Sequence, residues 1–117
     1  SKNSKSLFQW LDFRHFIIVT ILENLIDNSI EYCNKNNYSS VKIKIRDYRN
    51  NLYINVSNPI NKDLKSEDIL GNTSKMNKKE HGIGLINIKD CVENNNGQLS
   101  IFCKNRYINF QIIFLMS

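Results

Sequence analysis

The stretch ILENLIDNSIEY, residues 21–32, decides how this chain folds. It reads as the centre of an amphipathic helix. Ile18, Leu22, Leu25, Ile26, Ser29 and Ile30 recur at helical spacing and predict an inward face. Glu23, Asn24, Asp27, Asn28 and Glu31 form a polar stripe along the same helix. Asn24 and Asn28 are four residues apart, so their side chains stack one turn above the other. Mid-helix Asn is costly because its amide competes for backbone hydrogen bonds, which favours a stripe that is used over one that is merely solvated. The neutral carbonyl oxygen of Asn28 suits a hard cation such as Mg²⁺, which keeps several waters and binds beside substrate phosphates. Asn24 is placed to orient those waters or to touch a phosphate.

Outward from this helix, the N-terminal LFQWL (7–11) reads as a short strand, with Asp12 as the helix cap. Beyond the helix, Val41, Ile43 and Ile45 alternate with Lys42, Lys44 and Arg46, the pattern of a strand with one wet face. Leu52, Ile54 and Val56 repeat the alternation after a hairpin turn at 49–51. Residues 58–81 then lack apolar periodicity, and a stretch of that length in a small domain usually has a function of its own. HGIGLINIK (81–89) opens a short helix in which Leu85, Ile88 and Val92 share a face. Gly97 ends that region or makes a tight turn, and LSIFC and YINFQIIFLM supply two last strands. The predicted class is a mixed α/β (α+β) domain: a two-layer sandwich of helices on a mixed, largely antiparallel sheet.

With 117 residues there is room for one domain, 1–117, and one core. The formal net charge of +5 suits an anionic ligand or partner, and equally a soluble surface. Cys33, Cys91 and Cys103 form no close pair, and His15 and His81 do not complete a zinc spacing with them. They read as ordinary thiols of a reducing compartment. The apolar run 110–116 is too short to cross a bilayer, so no direct membrane contact is expected of this segment. Trp10 and the Phe-rich segments are not interleaved with basic residues as a nucleic-acid groove requires. They are expected to pack, and nucleic acid is not expected as a partner.

Gly82 and Gly84 let backbone amides approach a phosphate, and the helix that follows offers unpaired N–H groups to negative charge. Directly upstream lies a basic segment with Lys62, Lys65, Lys75, Lys78 and Lys79, a fitting composition for a lid over a triphosphate. His81 can donate to a phosphate or pack against that lid. Asn58, at the end of the second strand and before Pro59, can pair with an adenine edge or serve as a plain turn residue.

Taken together, these segments resemble the ATP-binding family shared by DNA gyrase, a heat-shock chaperone, histidine kinases and the MutL mismatch-repair protein, the GHKL group. ILENLIDNSIEY is similar to its first motif, and HGIGLINIK to the glycine motif that closes a lid over the phosphates. The resemblance covers roughly residues 12–116 and implies a Bergerat-type fold with a flexible lid over about 58–81. It implies ATP and Mg²⁺ as ligands, with Asn28 on the metal. Asn24, Asn28 and Lys75 become the catalytic set, and Asn24, Asn28, Asn58, Lys75, His81, Gly82, Gly84 and Leu85 the nucleotide contacts. Hydrolysing members carry a water-activating Glu four residues before the metal-binding Asn; Asn24 stands there instead, as in histidine kinases. A site without that base suits ATP kept for another acceptor.

The segment 71–89, GNTSKMNKKEHGIGLINIK, resembles the lid of the quorum-sensing, peptide-pheromone receptor kinases of Gram-positive bacteria. That resemblance implies the cytoplasmic catalytic part of a membrane-bound sensor. Its partners would be a dimerisation and histidine-phosphotransfer domain of the same parent and a downstream response regulator. Where most members have Asp-x-Gly-x-Gly, this chain reads VSNPI (56–60), with Asn58 as the nearest substitute, so modest ATP affinity is expected. Two other readings stay open: a serine kinase of the anti-sigma-factor type, and a degenerate module that docks a partner without using ATP.

Overall fold

A computed structural model describes residues 7–38, 40–60 and 85–116, the last segment with its side chains from 88 onward. Helix α1 runs over Leu7–Lys35, and two strands follow, β1 (Lys42–Tyr48) and β2 (Asn51–Pro59). Helix α2 (Leu85–Asn94) precedes β3 (Gly97–Lys104) and β4 (Tyr107–Leu115). The four strands form one sheet in the order β1-β2-β4-β3, and every pairing is antiparallel.

The expected N-terminal strand is instead the first turns of α1, and Asp12 lies exposed inside the helix rather than capping it. The cause is Trp10. Helical phase puts it on the same face as Ile18, Ile21, Leu25, Ser29 and Cys33, and its indole is only 1% exposed. Its ring meets Phe114 with centroids 5.3 Å apart and planes tilted by 50°, while the Arg14 guanidinium covers it at 4.9 Å. Of the predicted inward face, Leu22 and Ile26 pack at its margin, and Ile30 is exposed. Ile21 and Cys33 complete the seam in its place.

Both hairpins close through two-residue loops, Arg49-Asn50 and Asn105-Arg106, with φ of 49°, 63°, 53° and 61° in that order. Two consecutive positive φ values match the right-handed twist of the strands they join, the geometry of a type I′ turn. One face of the sheet is covered. Leu52, Ile54 and Val56 of β2 and Ile108, Phe110, Ile112 and Phe114 of β4 are all buried there. Helix α1 packs on β2, and α2 packs on β3, adding Ile88 and Val92 to the same core. Gly97 allows that approach: a Cβ on it would stand 2.7 Å from both Phe114 Cδ1 and Val92 Cγ1. The positive φ of the turn belongs to Asn96 instead.

Three departures concern the surface. Every residue of β1 is exposed, including Ile43 and Ile45, because β1 is an edge strand and α1 lies over β2. The Phe-rich segments divide: Phe110 and Phe114 are core, whereas Phe8, Phe13 and Phe16 of α1 are 77–83% exposed. Of the stretch 58–81, the first residues are part of the scaffold. Asn58 and Pro59 belong to β2, and the buried Ile60 donates its N–H to the Arg106 carbonyl at 2.9 Å. The remaining expected lid lies outside the described residues.

Candidate functional site

Helical phase turns Asn24 toward α2. Together with Phe16, Ile17, Thr20 and Ile21 of α1 and Ile88 and Cys91 of α2, it lines a cleft of about 100 Å³. The cleft is apolar apart from this amide, whose Nδ2 donates to the Thr20 carbonyl at 2.8 Å. That bond fixes the side chain against its own helix and leaves Oδ1 as the free accepting end. One turn on, Asn28 is half-buried, and its Nδ2 is sealed from solvent with no acceptor. A buried donor without a partner costs free energy and calls for a reason. With the nitrogen turned inward, the carbonyl oxygen is the end left to meet a hard cation, so the side chain fits an Mg²⁺ ligand.

Asn58 arises from the other layer. In β2 it shares the helix-facing side with Leu52, Ile54 and Val56, paired to Ile108 of β4, and it is 2% exposed. Its Nδ2 donates to the Pro59 carbonyl at 2.9 Å, which leaves its oxygen as the acceptor. An acceptor in the layer between sheet and helices is what an adenine amino group needs. Asn24, Asn28 and Asn58 therefore all serve the interlayer side of the sheet rather than its open side.

Helix α2 is described over Leu85–Asn94, on the C-terminal side of Gly84 in sequence. No acidic residue occupies its first turn to compete for an anion. Gly82, Gly84, His81 and Lys75 lie outside the described residues, as does the side chain of Leu85. Glu23 and Asp27 are exposed on α1. Among the described residues no group of three His, Cys, Asp or Glu side chains is placed to hold a metal ion.

The cysteines behave as thiols of the fold. None of the three is in a disulfide; Cys33 is buried on the inner face of α1, its thiol directed at the Ser40 carbonyl at 3.6 Å, and burial pushes its pKa up. His15 is exposed on α1. Sequence reasoning passed over a trough of about 740 Å³ on the face of the sheet on which no described helix packs, lined by β1 lysines and by tyrosines. Its signal was present in the Lys/Ile alternation of β1. That alternation implied a basic wet face but not the aromatic residues that the other strands bring to it.

A family model described as the GHKL domain matches residues 13–115. Among solved structures, the histidine kinase AdeS of Acinetobacter baumannii superposes with a TM-score of 0.63 over 86% of this chain, at 20% identity. The chain spans 46% of that protein's length, and at such identity the likeness is one of fold. No curated protein matches the sequence. The helices-on-sheet architecture is the Bergerat-type α/β fold of this family. No described helix is long and apolar enough to cross a membrane.

Proposed function

The chain belongs to the GHKL domain family, and from that premise we propose that it binds ATP with Mg²⁺ and delivers the γ-phosphoryl group to a histidine. That histidine lies on a separate dimerisation and phosphotransfer domain of the parent protein, within two-component signalling. The observation that carries the reading is the pair of α1 amides: Asn24 in the cleft against α2, and Asn28 one turn on with a buried, unpartnered nitrogen.

Phosphoryl transfer depends on positioning and charge stabilisation more than on covalent help from the protein. Asn28 would hold the metal through its oxygen, and Asn24 would order the water around it. Bound Mg²⁺ supplies neutralisation of the phosphate charge. Asn58 accepts a hydrogen bond from the adenine amino group. Gly82 and Gly84 bring backbone amides to the phosphates, Lys75 and His81 add charge and donors, and Leu85 opens the helix whose N-terminus faces them. Asn24 cannot deprotonate water, which preserves ATP for the incoming histidine. The resemblance of 71–89 to pheromone-receptor kinases supports a position on the cytoplasmic side of a membrane-tethered sensor, upstream of a response regulator.

Titration of the chain with a non-hydrolysable ATP analogue, with and without Mg²⁺, tests this reading. Asn28→Ala should weaken Mg²⁺-dependent binding by about tenfold or more, of the order of one lost metal ligand, and leave the fold intact because the group it removes is an unsatisfied donor. Unchanged binding in that variant would sink the assignment. A second reading, a module that docks a partner and no longer uses ATP, draws on Asn58, whose nitrogen is committed to Pro59 where the family has an Asp. Absence of any analogue binding by the unaltered chain selects it.

A further inference from the structure

The face of the sheet on which no described helix packs carries none of the residues assigned above to the nucleotide, and it has the features of a docking surface. β1 presents Lys42, Lys44 and Arg46 on this side, paired in register with Ser57, Asn55 and Tyr53 of β2. Alternate residues of a strand stand roughly 6.5–7 Å apart, so the three cationic side chains leave β1 at evenly spaced points. Lys104 closes the far side of the trough, and among the described residues no acidic side chain lines it. Asp47, the single acidic residue of β1, alternates onto the opposite side.

Two cations of the row, Lys42 and Arg46, are held in place. The Lys42 ammonium lies 4.5 Å from the centre of the Tyr107 ring, and the Arg46 and Arg49 guanidinium groups lie 5.6 and 5.2 Å from that of Tyr48. Cation–π contact orders a charged head without neutralising it, which lowers the entropy lost when an anion arrives. The floor between them is made of Asn55, Ser57, Asn109 and Gln111, side chains that both donate and accept.

We infer that this face docks an extended acidic segment of a partner protein, with carboxylates at alternate positions meeting Lys42, Lys44 and Arg46. The spacing of the row matches alternate side chains of an extended peptide, and the amide floor matches its backbone N–H and C=O groups. Single-stranded nucleic acid is disfavoured by the same geometry. Bases bind such surfaces by stacking on open rings; cations cover Tyr107 and Tyr48, and Tyr53 and Phe102, which also line the trough, are the rings an oligonucleotide would have to use. A carboxylate reaches those cations from the open side and leaves them on their rings. Because Asn24, Asn28 and Asn58 serve the other side of the sheet, the acidic segment and a nucleotide can be bound together.

The test is residue-resolved NMR titration of the chain with a synthetic peptide of alternating Glu and Ser. A Gln-Ser peptide and an oligothymidylate of equal charge serve as comparisons. Shifts should concentrate in β1 and at Asn55, Asn109 and Gln111, weaken as salt rises, and be absent with the Gln peptide. The triple variant K42Q/K44Q/R46Q should bind about tenfold more weakly, from three exposed ion pairs of ordinary strength, while K35Q on α1 binds as the unaltered chain does. A single K44Q variant, about twofold weaker, carries the test if the triple variant does not fold. Failure of the Glu peptide to bind, shifts centred elsewhere, undiminished binding by the neutralised variants, or tighter binding of the oligothymidylate would each overturn the inference.

Discussion

Strands β1 and β4 are written in the same alternating pattern and meet opposite fates. KIKIRDY and YINFQIIFL each place apolar residues at every second position. In β4, Ile108, Phe110, Ile112 and Phe114 are sealed beneath the helices, whereas in β1 Ile43 and Ile45 remain 46% and 55% exposed. The difference lies in position. β4 is central, flanked by β2 and β3, and β1 is an edge over which α1 does not reach. Alternation tells which side of a strand is apolar; the neighbours decide whether that side is covered. The basic half of β1 is left as available as its apolar half, and there the docking face is built.

The comparison is open to direct attack. Phe114→Ala removes a fully buried ring that touches Trp10 and should cost about 3–5 kcal/mol in denaturant unfolding, whereas Ile45→Ala should cost less than about 0.5 kcal/mol. Similar losses at the two sites would break the contrast between a covered and an uncovered strand. Gly97→Ala probes the fit where α2 meets β3. The new methyl would press on Phe114 and Val92, and overpacking of this kind costs about 1–3 kcal/mol. Pairing it with Val92→Ala should give less than the sum of the two single losses, since each relieves the other's misfit. Strict additivity would show that the approach at Gly97 is not what limits packing.

The smallest expected effect sharpens the same distinction through chemistry. Burial raises the Cys33 pKa above its ordinary value, so the folded state favours the neutral thiol. Above about pH 9 the unfolded chain, binding fewer protons than the folded one, gains relative to it, and this residue's contribution makes stability fall as pH rises. Replacing Cys33 with Ala should flatten that alkaline slope in denaturation curves recorded from pH 8 to 10. A thiol reagent should also modify the exposed Cys91 well before Cys33; the reverse order would contradict the burial of Cys33.

Much of this was legible in residue order alone. The α1 seam around Leu25, the hairpin at Arg49-Asn50 and the buried side of β2 follow from local periodicity and turn geometry. LFQWL was misread because five residues are too few to separate a period of 2 from one of 3.6; Trp10 joined the helix once Phe114 was there to receive it. The motif positions of Asn24, Asn28 and Asn58 were legible too. The bonds from Asn24 to Thr20 and from Asn58 to Pro59, and the stranded nitrogen of Asn28, were not, because each depends on where a side chain turns in a packed interior.

By itself, the sequence determined the elements and their chemistry: amphipathic periods, a pair of amides one turn apart, a row of alternating cations. Those follow from geometry within a few residues of chain. Only the tertiary structure decided which apolar faces are covered, which amide ends stay free, and that Tyr107 of β4 holds Lys42 of β1. Such outcomes depend on residues far apart in sequence arriving at the same place, and local pattern carries no record of that arrival.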